Sequence, residues 1–264
     1  MPDFLIEATK NCTPNPDTSM FEMHTHEFYE IFCFLTGKAK YFIEGTVYDL
    51  KPNDILIINK SEAHSLLIKS NAPYKRFVIH FNAEALLGDN KEELLEIFDN
   101  KPLGKNNHYP SSLFDTKKII YYLEKGCETD SIDDKRLYIT MFLRELSFFD
   151  NKIPQNDKHY QENLSEILQY INRELTNDIS LEKISRTFNF SKTHLNRKFK
   201  EIVGSTVWDY ILIKRLLLAK ELLKSGTPPT LVYINCGFND YCSFYRNYKK
   251  RFGVSPKNDF VSKK

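Results

Sequence analysis

The period of the apolar positions changes along the chain. Between Phe21 and Phe81 they come in short alternating runs rich in Phe, Tyr, Ile and Val, predicting strands over 27–35, 38–44, 46–50, 54–59, 64–69 and 75–81. Gly37-Lys38, Glu44-Gly45 and Pro52-Asn53-Asp54 supply the turns. Apolar strands at such short spacing predict a sandwich or small barrel. Two helices should follow, over 112–126 and 133–149. Gly126 suits the C′ position of the first, and Asp133 and Asp134 suit the start of the second. Both helices have wide apolar faces. One face could pack on the strands, and the other on a second subunit or elsewhere in the chain.

Past the polar stretch "NKIPQNDKH", a linker by its composition, the period becomes helical. Leu164, Ile167, Leu168 and Ile171 form one stripe, which Asn177-Asp178 breaks. Ser180 is suited to cap a short helix, "LEKISRTF", with a turn at Asn189-Phe190. Ser191 then caps "KTHLNRKFKEIV", which stops at Gly204. This order is repeated further on. Pro228-Pro229 opens a helix, Gly237-Phe238 turns, and Asp240 caps "YCSFYRNYKKRF", which ends at Gly253. The phrase "LNRKFKEIVG" at 195–204 thus returns 49 residues later as "FYRNYKKRFG" at 244–253. A short helix, a tight turn and a second capped helix make a helix-turn-helix, and there are two. About 18 helical residues separate them, a rod of about 27 Å. Leu195 and Phe199, and in the repeat Phe244 and Tyr248, should face inward. Thr193, Asn196, Arg197 and Lys200 are left outside, as are Tyr241, Cys242, Tyr245 and Arg246.

Net charge sharpens this division. Residues 1–159 carry 19 Lys and Arg against 25 Asp and Glu, whereas 160–264 carry 18 against 10. The overall charge of +2 therefore hides an acidic half and a basic half that suits a polyanion. The five cysteines are odd in number and scattered without a C-x-x-C pair, which argues against a disulfide framework or cysteine zinc site and for a reducing compartment. The start "MPDFLIEATKNC" lacks a signal-peptide pattern, and no apolar stretch reaches the roughly 18 residues of a membrane span. A cytoplasmic protein without a membrane partner is expected.

One cluster in the acidic half carries chemistry. In "HTHEFYEIFCFLTG", His24, His26 and Glu30 share strand parity and would project from one face. His64 or His80 could join them. Two imidazoles and a carboxylate could bind Fe, Mn, Ni or Zn, could hydrogen-bond a sugar or other polar effector, or could be a satisfied polar patch. The spacing H-x-H-x3-E-x6-G resembles the first motif of the cupin barrels, which often hold a metal. The second cupin motif is not intact, since Asn53 stands where Gly follows Pro52 and His64 lies past the usual spacing.

The carboxyl-terminal half resembles the AraC/XylS family of bacterial transcription regulators. The matching residues include Ser191, Leu195, Arg197, Phe199, Gly204, Tyr210, Arg215, Ala219 and Leu222-Leu223, then Gly237-Phe238, Asp240, Phe244, Arg246, Lys249, Gly253 and Ser255-Pro256. The resemblance covers about 160–260, and the cupin-like half is similar to the family's effector-binding and dimerisation domain. It implies an α+β chain of two domains. A cupin-like β-barrel with following helices would occupy 1–150, a linker 151–160, and an all-α double helix-turn-helix 161–264. It implies base contacts at Thr193, Asn196 and Arg197 with Lys192 and His194 beside them, and at Tyr241, Cys242, Tyr245 and Arg246. Lys198, Lys200, Lys249, Lys250 and Arg251 suit phosphates. Arg reads guanine and Asn reads adenine, while Tyr and Cys decide less. Where the family has a small Ala, Tyr233 stands here, and Pro229 replaces an aliphatic residue, so the second module's grip on bases should be the weaker.

The function expected is that of a sequence-specific DNA-binding transcription regulator, an activator or a repressor, controlled by a small-molecule effector, with a sugar among the candidates. The effector pocket would be lined by His24, His26, Glu30, His64 and His80. No catalytic residue, resident cofactor or metal is assigned. A homodimer is expected, and RNA polymerase is a further partner that basic faces could serve. The rivals are a metal-dependent cupin enzyme, which needs tightly bound metal, and a sequence-indifferent architectural binder, dominated by salt.

Overall fold

The computed structural model describes residues 5–150, apart from 22, 61 and 103, and residues 162–260. The chain divides into two compact units, Met1–His159 and Tyr160–Lys264. The linker expected at 151–160 lies outside the described residues.

The first unit contains β1 (Ile6–Thr13), β2 (Tyr29–Thr36), β3 (Ala39–Ile43), β4 (Thr46–Asp49), β5 (Ile55–Ile58), β6 (His64–Ile68), β7 (Tyr74–Phe81) and β8 (His108–Tyr109). They form two antiparallel sheets, a five-stranded one ordered β1-β7-β2-β5-β8 and a three-stranded one ordered β4-β3-β6. The six expected strands all form, with ends within two residues of expectation. The large sheet is apolar on both faces. Phe32, Phe34, Leu56 and Ile58 pack with Tyr41, Ile43 and Leu66 of the small sheet. Ile31, Cys33, Ile55, Ile57 and Ile79 pack on the other side with helical residues. Burial on both faces is why β2 and β5 read as nearly unbroken apolar runs.

The helices are α1 (Lys91–Asp99), α2 (Thr116–Glu128) and α3 (Ile132–Ser147), which bring Phe98, Ile119, Leu123, Ile139 and Phe142 to that second core. Gly126 does not end its helix. It sits buried inside α2, where an added Cβ would lie 3.4 Å from Cδ1 of Ile139 on α3. The glycine lets two helices approach, and the helix continues to a C-cap at Thr129. Strand β1, unexpected from its mostly polar sequence, is held by pairing with β7 along its whole length, from Ile6 opposite Phe81 to Thr13 opposite Tyr74.

In the second unit every element among the described residues is a helix: α4 (Glu162–Arg173), α5 (Leu181–Thr187), α6 (Lys192–Val203), α7 (Val207–Lys224), α8 (Pro229–Asn235), α9 (Tyr241–Phe252) and α10 (Pro256–Asp259). The expected caps are in place. Ser180 Oγ accepts from the Lys183 N–H at 3.2 Å, Ser191 Oγ from His194 N–H at 3.2 Å, and Asp240 Oδ1 from Ser243 N–H at 2.6 Å. Each cap satisfies an orphan donor three residues on. Helices α6 and α9 end on Gly204 and Gly253 at φ 82° and 74°, the left-handed region where glycine carries no Cβ penalty. Leu195 and Phe199 are buried as expected, and so are Phe244 and Tyr248.

Candidate nucleic-acid interface and ligand cavity

Helices α6 and α9 both pack against the central α7, which has 18 residues. On α6, Lys192, Thr193, Arg197 and Lys200 are exposed and His194 is half-buried. On α9, Tyr241, Cys242, Arg246 and Lys249 are exposed, with Tyr245 half-buried. Lys192 is held by Glu182 of α5 at 3.2 Å, and Glu182 also takes Arg186 at 2.6 Å. The His194 ring meets Phe190 edge-on at 5.4 Å. Tyr241 packs edge-on against Tyr233 at 5.7 Å and Phe244 at 5.9 Å.

Asn196 is placed differently from its neighbours. Its Oδ1 accepts from the N–H of Val207, the first residue of α7, at 3.3 Å. An adenine reader needs that oxygen together with the amide nitrogen. Asn196 therefore ties α6 to the start of α7, and that bond takes up one of the two acceptor positions of the oxygen that a bidentate contact to adenine would use.

Arg215, matched to the family but assigned no task from sequence, joins the two modules. From α7 it donates to the carbonyls of Leu175 and Asn177, ahead of α5, at 2.8 Å each. Gly237, in the turn after α8, lies against the same guanidinium. A Cβ there would stand 2.9 Å from Arg215 Cζ and 2.9 Å from the Thr176 carbonyl oxygen.

In the first unit a cavity of about 340 Å³ lies among residues of both sheets. Strand alternation builds its wall, with Tyr74, Arg76, Val78 and His80 from β7, Glu7, Thr9 and Asn11 from β1, and Glu30 and Phe32 from β2. Of the expected pocket residues, His24, Glu30 and His80 line the cavity. His26 and His64 are not among its lining residues and contact Glu30 instead. The reason given by parity was wrong for the two early histidines. Strand β2 starts only at Tyr29, and His24 is placed by a bridge to His64 in which each N–H donates to the other's carbonyl at 3.0 Å. Arg76, Tyr74 and Asn11 were missed, although Tyr74, Arg76 and His80 share one parity on β7.

Glu30 is the centre of the polar cluster. Its Oε2 lies 2.8 Å from His26 Nε2, 3.0 Å from His80 Nε2 and 3.6 Å from His64 Nε2, and its Oε1 accepts from Tyr41 Oη at 3.3 Å. Burial alone would raise the Glu30 carboxyl, but the hydrogen bonds from His26 and His80 outweigh it and hold the group well below the usual carboxylate range. His64 is fully buried, and burial pushes its imidazole down to about 3, so it is uncharged near neutrality. Its Nδ1 donates to the Glu62 carbonyl at 2.7 Å, which leaves Nε2 bare, and that atom has no hydrogen-bond partner among the described residues. His24, Glu30 and His64 form one group whose ligand atoms lie within 4.8 Å of each other, and His26, Glu30 and His80 another. Either donor set suits a divalent transition metal.

The two units define a class of protein, a transcription regulator with a ligand-binding part and a helix-turn-helix part. Residues 13–112 match the AraC-like ligand binding domain, and residues 184–260 match a helix-turn-helix domain. The HTH-type transcriptional activator RhaS of Escherichia fergusonii is 23% identical over 262 residues, covering 95% of this chain and 91% of RhaS. The probable transcriptional regulator LumQ of Photobacterium leiognathi is 28% identical over 240 residues, covering 88% of this chain and 89% of LumQ. The HTH-type transcriptional activator AarP of Providencia stuartii is 35% identical over 112 residues, which cover 40% of this chain and 83% of AarP. The chain belongs to the AraC family of transcription regulators. It is a DNA-binding regulator with a domain for a small-molecule effector, and its relatives are regulators rather than enzymes. No described helix is long and apolar enough to cross a membrane.

Proposed function

We propose that this protein is a cytoplasmic, homodimeric activator that reads a DNA site with α6 and α9 in successive major grooves. The observation that carries the reading is the pair of capped helices, each with an exposed arginine, Arg197 and Arg246, both packed on the single rod α7. At 1.5 Å per residue that rod is about 27 Å long, close to the groove repeat of about 34 Å on one side of B-DNA. Arg197, with Thr193, His194 and Lys192 beside it, is the main base reader. Asn196 adds to it if DNA draws its oxygen from Val207. On α9, Tyr241, Cys242, Tyr245 and Arg246 meet bases, while Lys200 and Lys249 bind phosphates. RNA polymerase is met by a basic face not engaged on DNA.

The effector occupies the cavity lined by His24, Glu30 and His80, with His26 and His64 fixing Glu30, and a sugar is among the candidates. Tyr121, Leu137, Met141 and Phe148 leave an exposed apolar face on and just beyond α2 and α3, which supports dimerisation there. Effector and DNA couple by favouring the same arrangement, by about 1–3 kcal/mol. The test selects bound DNA from a random pool, then compares wild type with Arg197→Ala on the selected and on random sequence. A specific loss is expected, and equal losses on both would refute the assignment.

A further inference from the structure

The effector cavity is polarised from end to end, and at its positive end one guanidinium nitrogen, Arg76 Nη1, has no hydrogen-bond partner among the described residues. Along β7, Arg76 and His80 are four residues apart, or about 13 Å between their backbone positions. At the His80 end stand Glu30, hydrogen-bonded to His80, and Glu7, which faces His80 across the β1–β7 pair. At the other end Arg76 faces Asn11 on β1. The guanidinium lies 5.1 Å from the Phe21 ring and 4.9 Å from the Tyr74 ring. Those ring faces offer it no acceptor. Arg76 Nη1 and Tyr74 Oη, whose side chains act on each other electrostatically, are both buried without a partner at full hydrogen-bond geometry among the described residues, and both residues line the cavity.

A guanidinium stays charged throughout the accessible pH range, and burying it without a counter-charge is costly. Buried polar atoms left unpaired at a cavity wall call for a partner. The geometry points to an effector that carries an anionic group, a carboxylate or a phosphate, seated on Arg76 and Tyr74, with hydroxyl groups directed to His80 and Glu30. The orientation follows from the charges. An anion is drawn to the Arg76 end and repelled by Glu7 and Glu30, whereas hydroxyl donors find acceptors at that acidic end. A planar guanidinium can hold two oxygens of one anion, and the adjoining phenol can donate a third hydrogen bond. This inference rests on the effector reading of the cavity and narrows it from polar molecules in general to hydroxylated acids and phosphate esters.

The test uses the full chain and two measurements. The first is thermal stabilisation by D-galacturonate, D-gluconate and glucose 6-phosphate, each set against neutral D-galactose and D-glucose at equal millimolar concentration. An anionic member is expected to raise the melting temperature of wild type above its neutral counterparts, with an affinity loss of about tenfold or more in Arg76→Met. The second needs no ligand. Arg76→Met is expected to melt at or above the wild-type temperature when empty, because the substitution removes a half-buried charge whose Nη1 has no hydrogen-bond partner among the described residues, while an apolar side chain keeps contact with the two rings. Neutral sugars binding as well as the acids, anions stabilising Arg76→Met as they do wild type, or a lower melting temperature for empty Arg76→Met would each overturn the inference and leave the effector reading intact. If no compound of either kind shifts wild type, the cavity is not an effector site for such molecules and both readings fall.

Discussion

In the first module the chain passes from Asn189 at φ 55° to the cap Ser191 through a single residue, Phe190. In the second it passes from Gly237 at φ 79° to Asp240 through two, Phe238 and Asn239. Both turns need a left-handed residue after the short helix, and asparagine and glycine are the two that tolerate it best. The glycine has a further reason, because Arg215 and the Thr176 carbonyl crowd it at 2.9 Å. The presented surfaces differ as well. Helix α6 offers Lys192, Thr193, Arg197 and Lys200, while at the matching positions of α9 Tyr241 and Cys242 precede Arg246 and Lys249. Tyr241 is partly engaged by Tyr233. The repeat thus conveys a frame. Docking one copy to the other, and the choice of side chains on it, make the modules unequal.

The largest test of this inequality is at Gly237. Gly237→Val should cost about 3 kcal/mol or more in urea unfolding, because the side chain combines left-handed strain with overlap on Arg215. At Gly253, where φ is 74° and nothing lies within 4 Å of a Cβ, Gly253→Ala should cost about 1 kcal/mol. Equal costs would show that the second turn is not constrained by the first module. Next comes acid, which acts on the other unit. Folded His64 sits at about 3, below the ordinary 6.5, so its stabilising contribution is complete above pH 6.5 and is lost as pH falls toward 3. About 2 kcal/mol should go by pH 5, and below pH 4.5 protonation of Glu30 adds to the loss. Thermal melting across this range should show the first unit weakening, and His64→Gln should flatten the slope above pH 5; an unchanged slope in that variant would rule His64 out.

Smaller effects concern DNA. Arg197→Ala is expected to lose about 1–3 kcal/mol on the selected site, and Arg246→Ala less, measured by titration at fixed salt. A larger loss at Arg246 would reverse the ranking of the two modules. Asn196→Ala should lower stability by about 1 kcal/mol, through the lost bond to Val207, while changing base preference little. A marked change of preference at one adenine would make Asn196 a reader after all.

The helical half was largely legible because its signals are local. Ser180, Ser191, Asp240, Gly204 and Gly253 each act on groups within one turn, and the stripe of Leu195 and Phe199 needs only the helical period. Alternation likewise exposed six strands. It could not expose β1, whose polar sequence is held by β7 some 70 residues away, for example Glu7 opposite His80. Gly126 was misjudged for the same reason. A glycine near a helix end has the same local sequence whether it terminates the helix or admits Ile139 from a neighbour.

What the sequence determined by itself was the order of elements, the twin modules and the residue types at their exposed faces, because caps and periodicity are interactions between near neighbours. Tertiary structure alone decided that Asn196 turns its oxygen inward, that Arg215 links both modules, and that Arg76 and Tyr74 end beside a cavity with unpaired polar atoms. Those outcomes depend on which distant backbone and side chains fill the remaining space, and no spacing along the chain encodes that.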